Sequence, residues 1–229
     1  GAGSPFVDLQ LPCGGGLEVL LVPRPDRQAL DKLGRNHSAR IASTLVIDVE
    51  SGEMSIAEEG ETGRKDGKLF VRVEADIAFN IFGKGPEAST FAALARSAGY
   101  PAVLLSPDQE TLDVAANSGC RARHMISAEY PGDLATDART AVVLFFHDHD
   151  WEPPILAAAL QTPAFYIGAQ GSMKARDARL QALEALGVSA EERARLYGPV
   201  GLIPSARDHR TLAVSVMAEV LSVDMHGAS

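Results

Sequence analysis

Over the last two thirds of the chain, short runs of consecutive apolar residues alternate with longer stretches of helical period. The apolar runs fall at 78–82, 102–105, 141–146 and 164–167, and the helical patterns at 87–97, 112–118, 154–160, 173–186 and 211–221. Short, fully apolar strands separated by helices predict a parallel sheet covered on both faces. Within 173–186, Ala178, Leu180, Leu183 and Leu186 predict one apolar stripe, with Ser172 as N-cap and Gly187 at the C-terminal end. Residues 1–75 carry a different pattern. Apolar runs at 17–22, 41–49, 54–57 and 69–73 are separated by turn signals, Ser51-Gly52 marks a hairpin, and no helical period emerges. The polar stretch 58–68 predicts an exposed loop. The expected architecture is α/β: a Rossmann-like parallel sheet with helices on both faces over 76–229, preceded by a small β-rich domain over 1–75. So small a domain is expected to pack on its larger neighbour or on a partner.

Composition narrows the function classes. Of 229 residues, 46% are apolar and 22% charged, enough for a sizeable core. A net charge of -9 argues against a nucleic-acid or anionic-membrane binder. No apolar run approaches the roughly 18 residues that a membrane span needs, and the chain does not open on a signal segment. The two cysteines, Cys13 and Cys120, form no CxxC pair, so a reducing compartment and a cytoplasmic location are expected.

Several segments carry candidate chemistry. IFGKGPEA at 81–88 runs from a strand into a helix with the G-x-G-x-x-A spacing of a dinucleotide loop. Gly83 permits the tight turn, Gly85 lets a phosphate approach the backbone, and the helix N-terminus adds N–H groups. Either this turn binds a phosphate or it is a close-packed turn belonging to the fold. Glu87 opposes a phosphate, and the acid that would hold a ribose, Asp108, comes late and after Pro107. FFHDHD at 145–150 ends a strand, where open α/β sheets bind ligands. His147, Asp148 and His149 suit a divalent metal, a proton relay or a ligand contact, or only a solvated, capped loop. The spacing matches no zinc signature. YIGAQGSMKAR at 166–176 brings Gly168, Gly171, Ser172, Lys174 and Arg176 to another strand-to-helix turn, a set that suits an anion. Arg176 and Arg179 can equally stand in solvent. The glycine- and proline-rich loop 197–207 is rigid and can bring Arg207 toward the strand ends. Cys13 beside Gly14 and Gly15 is either an exposed thiolate or an inert cysteine at a turn.

Taken in order, these segments resemble the XdhC/CoxI family, accessory proteins of xanthine dehydrogenase and related molybdenum hydroxylases. The carriers are LPCGGGLEVLLVPRP at 11–25, IFGKG at 81–85, VVLFFHDHDWEPPILAAAL at 142–160, AFYIGAQGSMKARDARLQAL at 164–183 and YGPVGLIPSAR at 197–207. The family has histidine directly after G-x-G, acidic residues closing the next strand, and a small apolar residue at the place of Gln170. Here Pro86, Ser106-Pro107-Asp108 and Gln170 stand instead, and the family's further Ser-Gly-Gly-Cys stretch is not found, so the resemblance implies a divergent or N-terminally shortened member.

The resemblance implies a chaperone that binds molybdenum cofactor (molybdopterin), protects it during sulfuration by a cysteine desulfurase and passes it to an apo molybdenum hydroxylase. Carried onto this sequence, Cys13, Gly14 and Gly15 lie near the molybdenum end, and Gly83 and Gly85 form the phosphate turn. His147, Asp148 and His149 orient the ligand, and Gly168, Gly171 and Ser172 hold an anion with Arg176 and Arg207 at hand. A homodimer would cover the small β-rich part. Two other readings stay open: an NAD(P)-dependent oxidoreductase, drawn from the Gly83 loop and the histidines, and a structural or regulatory subunit that keeps the fold without the ligand. The cofactor reading sets one geometric condition. The reversals near Lys84 and Gln170 must aim free amides into one hollow at the rim of the sheet.

Overall fold

The structure, a computed structural model, describes residues 19–147 and 150–227. The chain divides into two compact units, Gly1–Ala75 and Asp76–Ser229.

The first unit holds helix α1 (Arg27–Ser38) and strands β1 (Ser43–Asp48), β2 (Met54–Ala57), β3 (Gly63–Lys65) and β4 (Lys68–Val73). The strands form an antiparallel sheet in the order β2-β1-β4-β3. Three elements differ from the sequence expectation. Residues 19–22, the described part of the 17–22 run, form no strand, and Val19 and Leu21 are 66% and 79% exposed. Apolar composition does not make a strand without a neighbour to pair with. Helix α1 is additional: only Ala29 on it is buried, so it has almost no apolar stripe to betray it. Its visible signal is Asp26, whose carboxylate caps the N–H groups of Gln28 and Ala29. Strand β3 lies within the expected loop and is exposed throughout, but Asp66-Gly67 is a two-residue hairpin turn with φ of 51° and 75°.

The second unit runs β5 (Ala78–Gly83), α2 (Pro86–Ser97), β6 (Ala102–Ser106), α3 (Gln109–Asn117), β7 (Arg121–His124), β8 (Thr140–Phe145), α4 (Glu152–Ala159), β9 (Tyr166–Ala169), α5 (Met173–Ala185), α6 (Ala190–Ala194), β10 (Leu196–Tyr197) and α7 (His209–Gly227). All strand pairs are parallel, in the order β10-β9-β8-β5-β6-β7. Alternate residues of each strand feed two cores, as the pleat requires. Phe79, Ile81, Val143 and Phe145 pack with Phe91 of α2 and Val216 of α7 on one face. Phe82, Val142 and Leu144 pack with Ile155 and Leu156 of α4 and Leu183 of α5 on the other. Burial on both faces explains why these strands read as unbroken apolar runs. Strands β7 and β10 and helix α6 have no such run. Among the described residues, no helix is long and apolar enough to cross a membrane.

Candidate functional site

The strand order reverses at β5 and β8, because the chain moves outward from β5 in one direction and from β8 in the other. Ligands of open α/β sheets bind in the crevice beyond the C-terminal ends at such a point. Since β5, β8 and β9 are parallel neighbours, the reversals near Lys84 and Gln170 share one rim. They are built differently.

The reversal after β5 is closed. A Cβ on Gly83 would lie 2.5 Å from the carbonyl oxygen of Phe145, so the glycine lets the ends of β5 and β8 approach. Gly85 takes φ +87°, which disfavours any side chain. Its N–H donates to Thr111 Oγ1 at 2.8 Å, and the Lys84 N–H donates to the Phe145 carbonyl at 3.3 Å. Thr111 donates its hydroxyl and its N–H to Asp108, the N-cap of α3, and these bonds hold the Asp108 carboxyl below its usual range. The expectation of free amides at both reversals is corrected here, because a neighbouring hydroxyl already fills the Gly85 amide. Asp108 is likewise engaged, as a cap that ties α3 to this turn through Thr111.

The reversal after β9 is open. Gly171 is exposed, at φ +144°, and a Cβ there would meet the Ala175 side chain at 3.1 Å. Ser172 caps α5 by accepting the Ala175 N–H at 3.1 Å. Beneath the turn, Arg179 forms a two-pronged pair with Glu152 of α4, 2.9 Å at its closest, and both side chains are almost fully buried. Its Nη2 also donates to the Gln170 carbonyl at 2.7 Å, whereas Nη1 has no hydrogen-bond partner among the described residues. The apolar stripe expected on α5 is therefore corrected. Leu183 is buried, but Ala178 and Leu186 are exposed, and Arg179, four residues before Leu183, takes the inward position because Glu152 meets it there. Gly168 sits inside the sheet, where a Cβ would lie 2.7 Å from both Tyr166 and Val200, so packing alone requires a glycine. Arg176 lines a separate groove between α5 and α6, outside the crevice.

The crevice is a cavity of about 240 Å³ whose walls include Glu87, His147, Gln170, Gly171, Arg207 and Asp208. His147 Nε2 stands 3.6 Å from Glu87 Oε1 and 3.3 Å from Gln170 Nε2, so it links the two reversals. Helix α7 fixes the loop that carries Arg207. Its Glu219 accepts the Gly201 N–H and the Tyr166 hydroxyl, each at 2.7 Å, and its Ser215 accepts the Ile203 N–H at 2.7 Å. Burial and the Glu219 carboxylate push the Tyr166 phenol well above its ordinary range. Asp208 accepts the N–H groups of Arg210 and Thr211 at the start of α7, and its bonds from Thr211 lower its carboxyl. Arg207 is exposed and has no partner among the described residues, which makes it the free cation of the crevice.

Of the residues expected at the site, His147, Gly171 and Arg207 are brought to the cavity, and Ser172 caps the helix beside it. Gly83 and Gly85 close the neighbouring turn. Cys13, Gly14, Gly15, Asp148 and His149 lie outside the described residues. Cys120 is buried, and burial pushes its thiol up. Among the described residues, no group of three or more metal-binding side chains comes together. Sequence reasoning missed Gln170 and Glu87 as cavity walls and the Arg179–Glu152 pair beneath them. The signal for Gln170 was a polar residue directly after a buried strand. For Arg179 it was helical spacing from Ala175 and Leu183.

Comparison with known proteins gives the family and the fold. Residues 79–220 match the family model of the XdhC Rossmann domain. The chain is 34% identical over 227 residues to the molybdenum cofactor insertion chaperone PaoD of Escherichia coli (strain K12), covering 99% of this chain and 65% of that protein. It also superposes with a TM-score of 0.68 on the crystal structure of a xanthine dehydrogenase from Bacillus halodurans, at 17% identity, over 87% of this chain and 65% of that one. The second likeness concerns the fold alone. In both cases this chain spans 65% of the other's length, just under two thirds. The matched segment runs from β5 into α7 and contains both reversals and the crevice between them: the chain belongs to the XdhC family.

Proposed function

We propose that this chain binds molybdenum cofactor in the crevice beyond β5, β8 and β9. It holds the cofactor through sulfuration by a cysteine desulfurase and hands it to an apo molybdenum hydroxylase. The cofactor is cargo, so the chain's own residues bind, orient and shield it, and no covalent step falls to them. The observation that carries the proposal is that exposed Gly171, directly before the Ser172 cap of α5, lines one cavity with Arg207, which has no partner among the described residues. A phosphate oxygen there meets N–H groups, a helix dipole and a guanidinium. Buried Arg179 steadies the Gln170 carbonyl below it. His147 orients the ligand from beside Glu87 and Gln170 in the same cavity. Roles in ligand handling are also proposed for Asp148, His149, Cys13, Gly14 and Gly15, which lie outside the described residues. A homodimer is part of this proposal.

Similarity to an insertion chaperone supports this reading over an NAD(P)-dependent oxidoreductase. So does the first turn, where Thr111 fills the amide that a dinucleotide phosphate would need and Asp108 is engaged as a cap. The test is equilibrium binding of molybdopterin to the reduced chain. Gly171→Asp places an anion where the phosphate is expected and should weaken binding at least about tenfold, the scale of one lost charge-assisted contact. Absence of binding at micromolar wild-type protein would overturn the proposal.

A further inference from the structure

The lining of the crevice carries groups of opposite chemistry. Arg207 and Gly171, just before the capped start of α5, suit an anion. Glu87 faces His147 from the first turn of α2, where a carboxylate repels a phosphate. Next to it, Gln170 is only 6% exposed and lines the same cavity. Its amide nitrogen lies 3.4 Å from the Phe146 carbonyl and 3.3 Å from His147 Nε2. Its Oε1 accepts no hydrogen bond among the described residues. The residue is mostly buried but lines the cavity, so this acceptor is open to a donor that enters the crevice. His147 Nε2 stands against both side chains, which brings the Glu87 carboxylate and the Gln170 amide to one wall.

From this wall of acceptors we infer that Glu87 and Gln170 read the donor edge of a 2-amino-4-oxopyrimidine ring, the edge that pterins share with guanine. The choice of a pterin rests on the cofactor reading above. Such a ring presents a ring N–H and an exocyclic amino group side by side, two donors matched to one carboxylate. The second amino hydrogen is left for Gln170 Oε1. The phosphate of the same ligand then points to Gly171 and Arg207. Adenine, by contrast, turns a ring lone pair toward Glu87 and is rejected, because a site built for a donor is left unpaired and repelled without it.

Competition binding to the full chain tests this, with molybdopterin, pterin-6-carboxylate, GMP, AMP and inorganic phosphate as probes. GMP and pterin-6-carboxylate should compete with molybdopterin at least about tenfold better than AMP, the scale of one charged hydrogen bond. Glu87→Gln should bring GMP and AMP within about threefold of each other without weakening competition by inorganic phosphate. Gln170→Met, which keeps the volume and removes the acceptor, should halve the discrimination or more. Thermal unfolding of each variant checks that the fold is kept. Molybdopterin binding with equal competition by GMP and AMP would overturn the inference and leave the chaperone reading standing, as would discrimination that survives in Glu87→Gln. Direct calorimetric binding of GMP over AMP that depends on Glu87, without any molybdopterin binding, would support the edge site with a guanine nucleotide as ligand, and the chaperone reading would fall. Binding of none of the probes would overturn both.

Discussion

The reversal after β5 and the reversal after β9 look alike in sequence. Each leaves a buried strand, passes two glycines and enters a helix on the same rim of the sheet. The first is sealed by its neighbours, with Gly83 against the Phe145 backbone and the Gly85 amide on Thr111. The second keeps Gly171 exposed over a cavity and anchors itself from below through Arg179. Glycine spacing alone therefore does not distinguish a turn that packs from one that can receive an anion. What distinguishes them is whether neighbouring side chains already complete the backbone donors.

That contrast can be broken at its foundations. Arg179→Met leaves Glu152 buried without its guanidinium, and loss of one partner of a buried pair costs about 3–5 kcal/mol. Urea unfolding should show this as the largest single loss among these variants, and a loss below 1 kcal/mol would mean that the pair does not anchor the open turn. Gly83→Ala should cost about 1–3 kcal/mol through overpacking against Phe145. Gly171→Ala should cost less, about 1 kcal/mol, because it meets only the Ala175 methyl at 3.1 Å and a strained φ. The reverse order would contradict the assignment of closed and open turns. Thr111→Val removes the acceptor of the Gly85 amide and should cost about 1–2 kcal/mol, with molybdopterin affinity within about threefold of wild type. A pH series sharpens the last point. The Asp108 carboxyl is depressed in the fold by its bonds from Thr111, so its contribution is present above the ordinary value of 3.8 and is lost as pH falls through the lower folded value. The stability gap between wild type and Thr111→Val should accordingly narrow below about pH 4. A gap that holds constant down to pH 2.5 would show that the Asp108 bond is not its source.

How much of this was legible follows the same physics. The central strands β5, β6, β8 and β9 could be read from the sequence because burial on both faces demands unbroken apolar runs. Strand β7, with all four residues exposed at the edge of the sheet, and the hydrophilic α1 could not, since neither buries a stripe. The Ser172 cap was legible because side-chain capping is local. The pairing of Arg179 with Glu152 was not. It joins residues 27 positions apart, and a lone arginine on a helix reads as solvated until its partner is in place. Gln170 stood out only as a polar residue where small ones are usual, and its free acceptor depends on Phe146 and His147 holding its nitrogen.

The central claim is that ligand binds at the open turn and not at the closed one, and surface charge reversal on each side tests it with little risk to the fold. Both Arg207 and Lys84 are exposed. Measured against wild type by equilibrium binding of molybdopterin, Arg207→Glu should lose at least about tenfold in affinity and Lys84→Glu less than about threefold. Equal losses, or a larger loss at Lys84, would contradict the account and move the ligand to the turn after β5.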